Sequence, residues 1–233
     1  MSPADDIRSR LDQIRFRVAR AARTAGRRPE DVRLVAVSKT FGIDRIREAA
    51  AAGQVDFGEN RVQEALQKIR ESADLSIRWH LIGSLQSNKA RRAAEHFAWI
   101  HSVDGVDLLL RLEEAARAAG TRPRLLVQVD LAGELTKHGA PEAAVPAIFD
   151  AARACQAAAV VGLTVLPPWF DDPAGARPYF RRLRDLRDRL RDAGTPAGML
   201  EELSMGMSHD FEAAVEEGAT IVRVGTAIFG ARA

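Results

Sequence analysis

Lysine is the scarce residue of this 233-residue chain. Only four of its 34 basic residues are Lys (Lys39, Lys68, Lys89 and Lys137), and the other thirty are Arg. A guanidinium stays protonated and delocalised, so it replaces an ammonium on a solvated surface but never as an amine nucleophile. Each remaining lysine is therefore a candidate for chemistry. Lys39 follows the apolar run Leu34-Val35-Ala36-Val37. Desolvation at the end of a buried strand lowers an ammonium's pKa, and a neutral amine attacks an aldehyde to form a Schiff base. The same position also suits a lysine that reaches solvent along its stem or pairs with an acid. Lys68 falls on an amphipathic stretch and reads as a surface residue. Lys89 and Lys137 fall in loops, where they serve structure or hold an anion.

Two further segments suit an anion. Ser204-Met205-Gly206-Met207-Ser208-His209-Asp210 joins a strand to a helix, with Ser208 placed to cap that helix. Gly225-Thr226 is the same kind of small, hydroxylated turn. Backbone N–H groups at such turns bind phosphate, although two capped turns without a ligand give the same pattern. Arg223 interrupts Ile221-Val222-Arg223-Val224 and must find a partner, either a carboxylate such as Glu201 or Glu202 or a ligand acceptor. Asn60 is a weaker signal, equally explained as the cap of a helix starting at Arg61. His80, alone on a strand, is a ligand contact or a satisfied core residue.

These positions require a scaffold, and the hydrophobic pattern supplies one. Short β-branched runs at Val32–Ser38, Gln54–Gly58, Arg78–Ile82, Trp99–Val103, Arg124–Val129, Val160–Val165, Glu202–Met205 and Thr220–Val224 read as strands. Amphipathic stretches between them read as helices: Ile43–Ala52, Arg61–Ser72, Lys89–Glu95, Val106–Ala119, Pro141–Gln156, Pro173–Ala193 and Ser208–Glu217. A further helix, Ser2–Ala25, precedes them, capped by Ser2 and stopped by Gly26. Strict alternation implies parallel strands with crossover helices, best met by a single α/β domain, a (β/α)8 TIM-type barrel over residues 1–233 with an extra N-terminal helix. An open doubly wound sheet is the alternative, but no Gly-rich dinucleotide fingerprint follows the first strand. In such barrels the working residues lie at the carboxyl ends of strands, where Lys39, Asn60, Gly206, Ser208, Gly225 and Thr226 all fall.

Composition narrows the functions further. Cys155 is the only cysteine, which excludes an internal disulfide and a cysteine-built zinc site. With 34 basic against 32 acidic residues the charge is +2, and the densest basic stretch, RRLRDLRDRLRD, alternates with acids. It reads as a solvated helix with ion pairs between its turns, so no nucleic-acid partner is expected. No apolar run is long enough to span a bilayer and the opening MSPADDIRSR lacks a signal core, so the expected setting is a reducing cytoplasm without membrane attachment. A monomer is expected.

The stretches VAVSKTF, FGENRVQEA, WHLIGSLQSNK, LTKHG and ELSMGMSHDFEAAVEEGATIVRVGTAIFGAR, in that order, resemble the pyridoxal 5′-phosphate homeostasis proteins, which are similar in turn to the amino-terminal barrel of alanine racemase. The resemblance runs from Val32 to Arg232. It implies a barrel that holds pyridoxal phosphate, a vitamin B6 cofactor, as a Schiff base on Lys39. Ser204, Ser208, Gly225 and Thr226, with Gly206 between the serines, would hold the phosphate. Arg223 would lie near the pyridine nitrogen, with Asn60 and His80 close to the cofactor. An arginine there leaves the ring a poorer electron sink than an aspartate would. Alanine racemase adds a second base from another domain. The only tyrosine here, Tyr179, precedes the surface-type stretch RRLRDLRDRLRD and offers no substitute. The implied role is to buffer the cofactor and deliver it to apo-enzymes; a weak racemase-like activity is the alternative. One departure is Gly162-Leu163-Thr164-Val165-Leu166-Pro167-Pro168-Trp169, where the family more often carries a Met-containing segment.

Overall fold

In the computed structural model, residues 6–133 and 138–230 are described; the expected cap at Ser2 and Lys137 lie outside them. The β-branched runs form short strands: β1 (Arg33–Val37), β2 (Asp56–Glu59), β3 (Arg78–Leu81), β4 (Trp99–Val103) and β5 (Arg124–Asp130). The series continues with β6 (Ala140–Pro141), β7 (Ala159–Thr164), β8 (Glu202–Met207) and β9 (Ile221–Val224). The strand order is β4-β3-β2-β1-β9-β8-β7-β5, and β4 pairs back onto β5, which closes eight parallel strands into a barrel. The two-residue β6, not expected from the sequence, adds to the end of β5.

Helices cover the barrel: α1 (Ile7–Thr24), α2 (Ile43–Ala51), α3 (Val62–Glu71), α4 (Ala90–His96) and α5 (Val106–Ala119), then α6 (Val145–Ala152), α7 (Arg177–Asp192), α8 (Phe211–Glu216) and α9 (Thr226–Phe229). The main core lies between the strands and the apolar faces of these helices. Val35, Trp99, Leu126, Val161 and Ile221, all carried by strands, form a separate small cluster inside the barrel. α1 buries Ile7, Leu11, Ile14 and Val18, packs on α2, α8 and α9, and ends where Gly26 takes a positive φ of 67°.

Three expectations are corrected. The helix expected over Pro141–Gln156 shrinks to α6, because the Glu113 carboxylate from α5 accepts the N–H groups of Gln156, Ala157 and Ala158 and turns the chain into β7. The helix expected from Ser208 begins at Phe211, because Asp210 Oδ1 accepts from Met207 N–H at 2.6 Å and folds those residues into a turn. Most arginines of α7 reach beyond their own helix. Arg177, Arg181 and Arg184 converge on Glu217, while Arg182 and Arg189 pair with Glu142. Among the described residues no helix is long and apolar enough to cross a membrane.

Candidate functional site

The carboxyl end of β1 turns sharply at Ser38-Lys39-Thr40. Thr40 has a φ of 70°, the only positive φ outside glycine among the described residues. A β-branched residue there is strained, so its surroundings must impose the turn. They do so from both sides of Lys39. Ser38 Oγ donates to Glu59 Oε1 at 2.6 Å, and Lys68 Nζ donates to the Ser38 carbonyl at 3.0 Å. On the far side, Thr40 N–H donates to Glu64 Oε1 at 2.9 Å. Lys68 joins the two acids, with Nζ 2.8 Å from Glu59 and 2.9 Å from Glu64.

Lys68 is therefore not the surface residue its helix position suggested: it is 6% exposed, at the centre of a buried ion cluster that sets the Lys39 turn. Its rarity in an arginine-rich chain was the signal, since a linear ammonium reaches three acceptors where a flat fork does not fit. Burial pushes the Glu59 carboxyl up, against the lowering effect of Lys68 and Ser38. Lys39 itself is partly exposed at the barrel rim.

The loops after β8 and β9 reach the same rim. β9 pairs with β1 on one side and with β8 on the other, all in parallel. Ser208 does not cap α8; its Oγ accepts from Gly225 N–H at 3.1 Å and clips the two loops together. Gly206 has a φ of 92°, and a Cβ there would lie 2.5 Å from Ala214 Cβ, so only glycine lets β8 pass so close to α8. Gly225-Thr226 opens the short helix α9, whose Ile228 and Phe229 N–H groups turn back onto the Gly225 carbonyl at 2.9 Å. Asp210, beneath the clip, has its carboxyl pushed up by burial. Above these loops Trp169, 71% exposed, stacks on His209 with ring centroids 4.5 Å apart. The departure noted after β7 thus covers the loop after β8.

Asn60, partly exposed, does not cap α3, which has no side-chain cap; its backbone passes so close to Gly83 that a Cβ there would lie 2.2 Å from the Asn60 oxygen. Lys89 closes a single 3-10 turn, Ser87–Lys89, ahead of α4.

Arg223, Ser204 and His80 are placed inside the barrel. Arg223 is 4% exposed and meets neither Glu201 nor Glu202, which lie beside Arg124. Its Nη1 donates to Thr164 Oγ1 at 2.9 Å and to Ser204 Oγ, and its Nη2 donates to the Val165 carbonyl at 2.9 Å. Burial pulls its pKa down to about 10. Ser204, expected at a phosphate, is fully buried; its Oγ lies between Arg223 and His101 Nδ1, 3.0 Å away. His80 contacts His101 at 3.0 Å and Asp56 at 2.9 Å. The sequence reading missed Asp56, His101 and Thr164. The available signal was polarity at inward positions of otherwise apolar strands, as in Trp99-Ile100-His101.

Residues 9–233 match the family of the alanine racemase N-terminal domain. The chain is 46% identical over 227 residues to the pyridoxal phosphate homeostasis protein of Pseudomonas aeruginosa, covering 97% of this chain and 96% of that one. The Aquifex aeolicus protein of the same name is 41% identical over 223 residues, covering 96% and 97%. Among solved structures, that of PipY from Synechococcus elongatus with PLP bound superposes with a TM-score of 0.85 at 44% identity, covering 96% of this chain and all of that one. Alanine racemase from Corynebacterium glutamicum shares the fold, with a TM-score of 0.70 at 20% identity over 95% of this chain and 62% of that one.

Proposed function

The chain belongs to the pyridoxal phosphate homeostasis protein family, built on the alanine racemase N-terminal barrel, and from that premise we propose that it holds pyridoxal 5′-phosphate through Lys39 to buffer and deliver it. When bound, the cofactor supplies a reactive aldehyde and an electron-withdrawing ring. The remaining chemistry belongs to the protein. Lys39 offers the amine. Its turn is fixed by Glu59, Glu64 and Lys68, so the amine is presented at the rim with little ordering left to do on binding. The clipped loops holding Ser208, Gly225 and Thr226 receive the phosphate, and Gly206 shapes the first of them. Arg223 addresses the ring nitrogen, and Asn60 borders the site.

The residues suit such a group. An arginine has five N–H donors, and three of those on Arg223 are used by the protein. Nε–H and one Nη2–H have no hydrogen-bond partner among the described residues and can serve a ring acceptor. The observation that carries the reading is the shared rim. β1 and β9 are parallel neighbours, and a Cβ on Gly225 would lie 3.2 Å from the Val37 oxygen, so the turn bearing Lys39 and the Gly225-Thr226 turn stand side by side. Transfer to apo-enzymes, a monomeric single domain and a cytoplasmic setting complete the proposal.

The test is titration of cofactor-free protein with pyridoxal phosphate. A visible Schiff-base band is expected, and Lys39→Ala should remove it. A band that survives the substitution refutes the assignment of the lysine. α-Deuteration of L-alanine in D2O reads any racemase-like turnover separately.

A further inference from the structure

A continuous line of buried polar side chains crosses the barrel from its floor to Arg223. Asp56 opens β2, Arg78 opens β3 and Arg33 opens β1, so these three mark the amino-terminal end of the barrel. From Asp56 Oδ1 the line runs 2.9 Å to His80 Nε2, then 3.0 Å from His80 Nδ1 to His101 Nε2. It continues 3.0 Å from His101 Nδ1 to Ser204 Oγ, and Arg223 Nη1 donates to that same oxygen. His80, His101, Ser204 and Arg223 are each at most 4% exposed.

We propose that Asp56, His80, His101 and Ser204 form a one-way hydrogen-bond relay that orients Arg223, making them positioning residues for the cofactor's ring nitrogen. The direction follows from what each group can donate. An ionised carboxylate only accepts, so His80 carries its proton on Nε2. A neutral His80 then accepts at Nδ1, so His101 must donate from its own Nε2. A neutral His101 accepts at Nδ1, and only the Ser204 hydroxyl can supply that proton. Ser204 is left with lone pairs for Arg223, which has nothing but donors to offer. Every link therefore points from the guanidinium toward the floor.

The surroundings hold the end members in the required states. Arg78 donates to both oxygens of Asp56, at 2.8 and 2.7 Å, and Arg33 lies 3.4 Å from Oδ2. Burial alone would raise Asp56, but the bonds from His80 and Arg78 outweigh it and draw its pKa down to about 2. Burial lowers the pKa of both imidazoles, His101 further than His80, and so disfavours the charged form of each. Trp99 stacks on His80, centroids 5.3 Å apart and planes within 5°, with Arg33 and Arg124 over its own ring. The charge of Asp210 acts on Arg223 in the opposite sense to burial. Two consequences follow. Ser204 has committed its only proton to His101, so it cannot donate to a phosphate. Arg223, fixed through Nη1, keeps its unused donors in one orientation.

The proposal rests on the cofactor reading for its purpose but not for its geometry, and the test separates the two. In 15N-labelled cofactor-free protein, His80 and His101 should both appear in NMR as neutral Nε2–H tautomers between about pH 6 and 8. An imidazolium, or an Nδ1–H form of either ring, overturns the relay whether or not the protein takes up the cofactor. Asp56→Asn probes direction. The Oδ2 position faces two guanidinium donors, Arg78 Nη2 and Arg33 Nη1, whereas Oδ1 faces only Arg78 Nε beside a His80 ring that can switch to accept, so the amide NH2 should turn toward His80 and reverse both tautomers to Nδ1–H. Loaded with pyridoxal phosphate, Asp56→Asn should shift the visible band or its pH midpoint, although residue 56 is at the opposite end of the barrel. Unreversed tautomers, or a spectrum identical to wild type at every pH, refute the proposal. If the variant does not fold, the wild-type tautomers decide.

Discussion

Replacing Lys68 with Met isolates the ion cluster beneath Lys39. Met matches the stem of the lysine, so little cavity forms and the loss is that of the charge. Glu59, fully buried, then keeps Ser38 as its only hydrogen-bond partner on Oε1, while Oε2 already has none among the described residues. Breaking a buried pair by removing one partner costs about 3–5 kcal/mol. Protonation sets a ceiling on that cost. An ordinary Glu titrates at 4.5, so neutralising Glu59 at pH 7 takes two and a half pH units at about 1.36 kcal/mol each, or about 3.4 kcal/mol. At pH 5 the same ceiling is only about 0.7 kcal/mol.

The sign follows from linkage. Burial already raises the folded-state pKa of Glu59 above its unfolded value, and without the lowering effect of Lys68 it rises further. The native state then holds a proton that the unfolded state has lost, and stability falls as pH rises from 4.5 toward the folded pKa. Urea denaturation of cofactor-free wild type and Lys68→Met at pH 5 and pH 7 measures this. The expected cost is about 3 kcal/mol at pH 7 and below about 1 kcal/mol at pH 5. Adding Glu59→Gln should restore most of the loss at pH 7 and remove its pH dependence. A cost below about 1 kcal/mol at pH 7, or one that does not shrink on acidification, would mean that the cluster does not hold the turn.

Gly206→Ala combines a positive φ with a 2.5 Å Cβ contact, and should cost about 2–4 kcal/mol, read as a fall in Tm of roughly 5–10 °C. Ser208→Ala removes the clip on Gly225 N–H; pyridoxal phosphate affinity should weaken about five- to tenfold in a spectroscopic titration while stability changes by less than about 1 kcal/mol. Glu113 is held below its ordinary value: burial opposes this, and the N–H groups of Ala158, Gln156 and Ala157 outweigh it. Its stabilisation is present above 4.5 and is lost as pH falls through the depressed folded value, so wild type should lose about 1–2 kcal/mol in that window that Glu113→Gln does not lose.

The eight strands, their order along the chain and the rim position of Lys39 were legible from local pattern alone. β-branched runs and amphipathic stretches report burial directly, and parallel strands joined by crossover helices put every strand's carboxyl end on one face. Ser208, Gly225 and Thr226 were visible for the same reason, as turn residues following strands, with Gly206 near the carboxyl end of β8. Tertiary structure alone decided whom each polar side chain meets. Lys68 read as surface because its helix is amphipathic, yet Glu59, from the preceding strand, draws it inward. Ser204 read as a phosphate ligand because it belongs to a loop motif, yet the pleat of β8 turns it inside toward His101. Asp56 and Arg223 are separated by most of the chain, and only closure of the barrel brings them into one hydrogen-bonded line. Periodicity encodes which face of an element is buried; it carries no information about the partner across a closed sheet, which depends on strand stagger and the direction of each donor.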